Sequence, residues 1–330
     1  HPLTWLGFSW PESLLITLFI LLFCSVAGGL LVYLWTHLSK IILFKEDIFQ
    51  IKFIPLTIKI CLISITWGMG HLILSQTPLF WIGIGEGLIP GDMYLASLAR
   101  WIGSSGLCVV QILIGFWIYF IHEKWKRKEH FQKTFIFGLL VIAFLHLFGG
   151  LINPINRNYD YPVAIWQTNI PTREKLNLSN QNIENKLLAA EKYAKSNNAK
   201  LLVAPEGTLD NNFNLSKASE VNMLVGGFRN SNNEIRSSML GYQIGDNFYT
   251  SFIDKNRLVP LGEKIPRFFN VFSRGLSALG GIEPGANSRL FVSKFTPPFA
   301  VAICYEISDG FKLRNAINNG AQIMITAANL

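Results

Sequence analysis

SLLITLFILLFCSVAGGLLVYLW, residues 13–35, carries no charged side chain over 23 positions. A hydrocarbon layer about 30 Å thick is crossed by roughly 20 helical residues, so this run is long enough to span a bilayer. Three more runs meet the same test: LTIKICLISITWGMGHLIL (56–74), WIGSSGLCVVQILIGFWIYFI (101–121) and TFIFGLLVIAFLHLFGGLI (134–152). Lys59 lies near one end of the second, where a long side chain can reach the interface. Four such runs predict a transmembrane α-helical bundle over residues 1–152, and their number and length exclude a cleaved signal peptide. Composition agrees. Of 330 residues half are hydrophobic and 15% charged, with a mean hydropathy of +0.32, too apolar for an ordinary water-soluble domain.

The placement of Lys and Arg sets the expected orientation, because cytoplasmic loops carry the excess of positive charge. The loop 36–55 holds Lys40, Lys45 and Lys52, and the loop 122–133 holds Lys124, Lys126, Arg127, Lys128 and Lys133. Between them, SQTPLFWIGIGEGLIPGDMYLASLAR (75–100) has only Arg100. Both basic loops are therefore expected in the cytoplasm, with 75–100 and everything beyond residue 152 outside. The apolar loop 75–100 is expected to lie in the interface or to fold back on the bundle. Gln111 and His146, inside spans, are expected to find partners within it. The net charge of +8 does not point to nucleic acid, since the basic residues flank spans instead of forming a stripe interleaved with aromatics.

Residues 153–330 have the punctuation of a water-soluble domain. Strands are expected at 161–170, 200–207, 222–228, 237–245, 247–254 and 299–304, with another starting in QIMITAAN. Helices are expected over 179–200, where Ile183, Leu187, Ala190 and Ala194 recur at helical spacing, and over 309–319. Strand–helix–strand alternation with β-branched, turn-bounded strands predicts an α/β layered domain. The chain begins with His and stops within a strand-like run, and it is read as a piece of something longer.

In layered α/β domains chemistry collects at strand ends, and three chemically able residues are expected there: Glu206, Lys255 and Cys304. Cys304 is the single cysteine of this half; Cys24, Cys61 and Cys108 lie in the apolar half. A helix N-terminus after it, and a nearby ammonium, would favour the thiolate and lower its pKa below the free value of about 8.5. No histidine follows His146, which removes Ser-His-Asp and Cys-His arrangements and any histidine-containing zinc site from this half. No Gly-rich phosphate loop follows a strand. A nucleophilic Cys304 must then pass its proton to a carboxylate or a lysine, which points to a Glu–Lys–Cys arrangement.

VAPEG around Glu206, DKNRLVPLGEKIP around Lys255 and ICYE around Cys304 resemble, in that chain order, the three motifs of the nitrilase (carbon–nitrogen hydrolase) superfamily. With membrane spans ahead of it and NIP at 169–171, the chain is similar to that superfamily's membrane-embedded branch, the bacterial apolipoprotein N-acyltransferases. The resemblance covers most of the chain and implies an eight-span bundle with an αββα sandwich inserted before the last span, so that the first and last spans and the end of the sandwich are absent here. It implies Glu206 as general base, Lys255 as oxyanion stabiliser and Cys304 as nucleophile, with Glu263, Tyr305 and Glu306 in support. Glu306 is equally well suited to pairing with an arginine. Phe268, Phe269, Phe272 and Leu276 are read as an arm bordering a lipid entrance, or as ordinary core.

The resemblance implies acyl transfer from a phospholipid, typically phosphatidylethanolamine, through a Cys thioester to the α-amino group of a lipoprotein's N-terminal diacylglyceryl-cysteine. The expected location is the bacterial inner (plasma) membrane, with the catalytic domain on the periplasmic side. No cofactor or metal is indicated. Two alternatives stay open: a membrane-tethered nitrilase-type amidase acting on a small substrate, and a non-enzymatic multispan binding protein.

Overall fold

The computed structural model describes residues 9–43, 53–77, 83–152, 161–170, 180–211, 213–232, 234–259, 263 and 282–328. They form two compact units, one of residues 14–157 and one that takes in everything from 158 onward.

The first unit is helical. Its long helices are α1 (Trp10–Leu43), α2 (Phe53–Gln76), α3 (Ala99–Lys126) and α4 (Gln132–Ile152). All four are long and apolar enough to cross a membrane. Each outruns its apolar core because polar flanks continue the helix, as Lys124 and Lys126 do on α3. Leu15, Leu22, Val26 and Tyr33 of α1 are exposed, as side chains facing lipid would be.

Small residues and indole N–H groups join the helices. A Cβ on Gly68 of α2 would sit 2.5 Å from Val109 and 3.0 Å from the Ser105 carbonyl of α3. Trp35 Nε1 donates to the Ile63 carbonyl at 2.9 Å, and Trp117 Nε1 to that of Thr134 at 3.0 Å.

Between α2 and α3 lie a 3-10 turn (Ile84–Leu88) and a single helical turn (Met93–Ala96). Leu88, Leu95 and Leu98 pack with Leu107, Leu145 and Ile152, so this part of the loop folds back on the bundle. His146 is satisfied by the Ile142 carbonyl and by Asp92 Oδ2, each at 2.8 Å. Gln111 departs from expectation. Its Oε1 is buried without a hydrogen-bond partner.

The second unit carries two sheets. The larger has the order β1 (Val163–Ile165), β2 (Leu201–Asn211), β3 (Asn222–Ser231), β4 (Glu234–Tyr242), β5 (Ser251–Asp254). Its first three strands are parallel, and β4 and β5 return antiparallel. The smaller joins β6 (Leu290–Phe291), β7 (Phe299–Ile303) and β8 (Ile323–Ala327), with β7 and β8 parallel. Helices α5 (Asn180–Ser196) and α6 (Gly310–Asn318) complete it.

Alternation of side chains builds four layers. Leu201 and Val203 of β2, Leu224, Met239 and Ile253 meet Phe291, Phe299, Val301, Ile303 and Ile325 in one cluster between the sheets. The intervening Leu202 and Ala204 turn outward onto Ile183, Leu187 and Ala194 of α5. Leu187 has no exposed surface, and burying such a side chain stabilises by roughly 1.5–3 kcal/mol. On the other side Ala300 meets Ala316 of α6. The order is helix, sheet, sheet, helix: the second unit is an αββα sandwich, as the resemblance implies.

Several strand expectations change, and the strand expected at 161–170 is confined to Val163–Ile165. The strand expected at 247–254 starts only at Ser251. The strand from 200 does not stop at Pro205-Glu206 but runs to Asn211. It does so through an irregularity, since Ala204 pairs with Val225 while Leu209 pairs with Gly227. Pro205 has no N–H for the ladder, and Gly207 adopts φ +60°, which glycine tolerates without strain. PEGT therefore bulges out of the sheet and lifts Glu206 from the ladder.

Candidate active site

The bulge in β2 presents Glu206, the residue after β5 is Lys255, and the residue after β7 is Cys304. Strands from both sheets thus deliver side chains to one place. The backbone of Gly226 on β3 makes room for the bulge: a Cβ there would lie 2.2 Å from the Pro205 carbonyl oxygen and 2.4 Å from Glu206 Cα.

Lys255 has no exposed surface. Its Nζ donates to Glu206 Oε1 at 2.9 Å and to Glu263 Oε1 at 2.6 Å. Burial by itself would lower its pKa, but the two carboxylates outweigh that and hold it above the ordinary lysine range. The Lys255 N–H donates to the Ser237 carbonyl at 2.7 Å and its own carbonyl accepts from Gly285 at 2.8 Å, so the backbone is fixed on both sides. Glu263 Oε2 also accepts from the Val259 N–H at 2.8 Å. Burial pushes the Glu263 carboxyl up, against the opposing pull of Lys255. Ser237 Oγ donates to Glu206 Oε1 at 3.3 Å.

Cys304 opens a 3-10 turn, Cys304–Ser308, with φ +50°. That left-handed conformation costs a residue with a Cβ of order 1 kcal/mol. Its thiol lies within the electrostatic reach of Glu206, Lys255 and Glu263. Burial raises the thiol pKa most, the negative charge of Glu206 raises it further, and Lys255 pulls the other way. The net direction is up, contrary to the expected thiolate. The helix invoked for that effect starts at Gly310, beyond the turn, and is capped by Asp309, whose Oδ1 accepts from the Lys312 N–H at 3.2 Å. The resting group is a thiol beside a carboxylate, which suits base-assisted attack.

Glu306 sits apart from this group. It is 1% exposed and pairs with Arg289, whose Nη1 donates to both oxygens at 2.7 and 2.8 Å. Oε1 also accepts from the N–H groups of Asn256 (2.6 Å) and Arg257 (3.2 Å), and Oε2 from Ile303 (3.0 Å). One carboxylate therefore ties the segment after Lys255 to the turn that carries Cys304. Of the two readings open for Glu306, the arginine pair is the one found. Tyr305 lies under the Arg257 guanidinium, 4.9 Å from its ring centre. Phe268, Phe269, Phe272 and Leu276 lie outside the described residues.

Sequence reasoning missed Arg289 as a site residue. It also missed Gly226 and the support of Asp254, whose carboxylate binds Arg229 and Ser238 one residue before Lys255. A solitary arginine in GANSRLF was the available signal, but nothing in the sequence says which carboxylate it meets. A cleft of ≈ 370 Å³ adjoins Pro205, between Trp166–Ile170 and Thr326–Ala328.

No protein-family profile matches the chain. A protein of Prochlorococcus marinus subsp. pastoris named apolipoprotein N-acyltransferase is 67% identical over 330 residues, covering all of this chain and 66% of that one. Proteins of the same name from another strain of Prochlorococcus marinus and from Parasynechococcus marenigrum are 40% and 38% identical, matching all of this chain and 67% and 69% of theirs. The chain spans about two thirds of the length of the curated relatives it matches. Among solved structures, a nitrilase-superfamily amidase from Nesterenkonia superimposes with a TM-score of 0.37 and 13% identity over 54% of this chain and 68% of that one. A nitrilase-superfamily member of Saccharomyces cerevisiae gives 0.35 and 16% over 51% and 64%.

Proposed function

We propose that this chain, which belongs to the apolipoprotein N-acyltransferase family, moves an acyl chain from a membrane phospholipid to the α-amino group of a lipoprotein's N-terminal diacylglyceryl-cysteine. The observation that carries the reading is the hydrogen-bonded group of Glu206, Lys255 and Glu263, whose charges act on the half-buried thiol of Cys304. Phosphatidylethanolamine is the proposed donor.

In the first half-reaction Glu206 accepts the thiol proton as Cys304 Sγ attacks the ester carbonyl. A base is needed because the surroundings hold the thiol neutral. The tetrahedral oxyanion takes the remaining N–H of Lys255, two of whose three donors are held by Glu206 and Glu263. Collapse breaks the ester C–O bond, and the lysophospholipid leaves with the proton from Glu206. In the second half the lipoprotein amine attacks the thioester, Glu206 accepts its proton, and the C–S bond breaks. That proton returns to sulfur, restoring the thiol and leaving an amide. Burial of the pair disfavours water as the competing nucleophile.

Glu263 keeps Lys255 charged and aimed. Glu306 and Tyr305 act as positioning residues, Glu306 through Arg289. The basic loops 36–55 and 122–133 support a bacterial inner-membrane location, with residues 153–330 on the periplasmic side.

The test is a two-substrate assay on the full-length protein in detergent, with phosphatidylethanolamine and a diacylglyceryl lipopeptide, following the triacylated product by mass spectrometry. Glu206→Gln, Lys255→Met and Cys304→Ala should each lose at least about 10²-fold in rate. Product formation undiminished in Cys304→Ala would overturn the reading, as would turnover of small amides without any lipid turnover.

A further inference from the structure

The helical unit holds a second group of chemically able side chains, far along the chain from the site above. His71 lies near the C-terminal end of α2, Glu86 in the 3-10 turn Ile84–Leu88, and Cys108 in the N-terminal half of α3. One ligand-capable atom from each lies within 4.8 Å of the other two. We propose that His71, Glu86 and Cys108 bind a divalent transition-metal ion of the zinc class, which clamps α2, the 3-10 turn and α3 together.

Four observations point to a ligand. First, His71 is 1% exposed, and its Nε2 is buried with no hydrogen-bond partner. Its polar neighbour is the Glu86 carboxylate, and ionisable groups within spans mark functional sites by default. Second, the other ring nitrogen is committed: Nδ1 lies 2.9 Å from Ser105 Oγ. When Nδ1–H donates to that hydroxyl, Nε2 is left as a lone-pair donor facing the cluster, the arrangement that orients metal-binding imidazoles.

Third, one of the three spacings is that of a tetrahedral site, while all three ligand atoms lie within 4.8 Å of one another. Bonds of about 2.0–2.3 Å from zinc to N, O and S, at tetrahedral angles, put ligand atoms roughly 3.4–3.6 Å apart. His71 Nε2 and Glu86 Oε2 are already 3.5 Å apart. Fourth, glycine backbones line the cradle. A Cβ on Gly83 would lie 2.1 Å from His71 Nε2, and one on Gly85 would lie 3.1 Å from Cys108 Sγ.

The Gly85 N–H donates to Cys108 Sγ at 3.2 Å and fixes the sulfur against the 3-10 turn. The donor set, one imidazole, one carboxylate and one thiolate, matches zinc-class chemistry and leaves a fourth position for water. Binding releases the Cys108 thiol proton to solvent. The Glu86 side chain, 36% exposed, gives the ion a way in.

The test uses the full-length protein without a polyhistidine tag, purified in detergent without chelators. Metal content is measured by inductively coupled plasma mass spectrometry, and apo protein is titrated with Co²⁺ and read by absorption. About one equivalent of metal and a thiolate-to-cobalt charge-transfer band are expected. Cys108→Ser should lose the band, whereas Cys61→Ser should keep it. Ser105→Ala, a smaller perturbation of the fold, should keep the band and weaken affinity by about 10–100-fold. Protein free of bound metal that gives no band with Co²⁺ would overturn the proposal and leave a His71–Glu86 ion pair as the account. A band that survives in Cys108→Ser would overturn it equally.

Discussion

Replacing Glu306 with Gln tests whether that carboxylate builds the site by holding it together. Its two oxygens accept from Arg289, Asn256, Arg257 and Ile303. Gln has nearly the same volume and keeps one carbonyl oxygen. Its amide NH₂ would face donors on whichever side it points, toward Ile303 N–H or toward the Asn256 and Arg257 N–H groups. The Arg289 guanidinium, 2% exposed, would lose its paired charge and keep only neutral acceptors, among them the carbonyls of Asp254 and Ala286.

Removing one member of a buried ion pair costs roughly 3–5 kcal/mol. For a domain of this size each kcal/mol moves the melting temperature by about 2–4 °C, so Glu306→Gln should melt roughly 6–20 °C lower. The assay is thermal unfolding in detergent followed by tryptophan fluorescence. Pairing Glu306→Leu with Arg289→Met removes both charges at similar volume, and should recover most of the loss. Acyl transfer per folded molecule should still fall, because the turn carrying Cys304 is no longer tied to the segment after Lys255. An unchanged melting temperature in Glu306→Gln, or a double variant no better than the single one, would refute the reasoning.

Two other perturbations follow from the same geometry. Gly226→Ala forces a Cβ onto the backbone of Pro205 and Glu206, so it should cost roughly 1–3 kcal/mol and reduce acyl transfer beyond that loss. Gly115→Ala, whose Cβ meets open space, should leave transfer unchanged in the same assay. The raised thiol pKa means that alkylation of Cys304, followed by peptide mass spectrometry, should be slow at neutral pH. It should climb with pH and reach half its maximum only above the free-thiol value of about 8.5; a midpoint below that value would contradict the assigned electrostatics.

The parts legible in the sequence were those written in periodicity or in contiguous motifs. Apolar runs located α1 to α4. The continuous apolar runs LLVA and FAVAI located β2 and β7, and Ile183, Leu187 and Ala194 at helical spacing marked the face of α5 that packs. Glu206, Lys255 and Cys304 each sat in a short stretch whose chemistry was readable alone.

The rest depended on contacts distant in sequence. Arg289 is paired with Glu306 by the way β6 and β7 meet, and no local pattern encodes that. Gly226 matters because β3 runs beside a bulge whose shape is set by Pro205 and Gly207. The thiolate expectation failed for a related reason. A helix after Cys304 was readable, but the intervening turn and the burial beside Glu206 were not, and burial dominates the thiol's charge state.

The most direct test of the thioester is chemical. The full-length protein, incubated with acyl-labelled phosphatidylethanolamine and no acceptor, should gain one acyl group on Cys304, located by peptide mass spectrometry and released by neutral hydroxylamine or by adding a diacylglyceryl lipopeptide. A label that persists in Cys304→Ala, or that maps to Cys24, Cys61 or Cys108, would contradict the account.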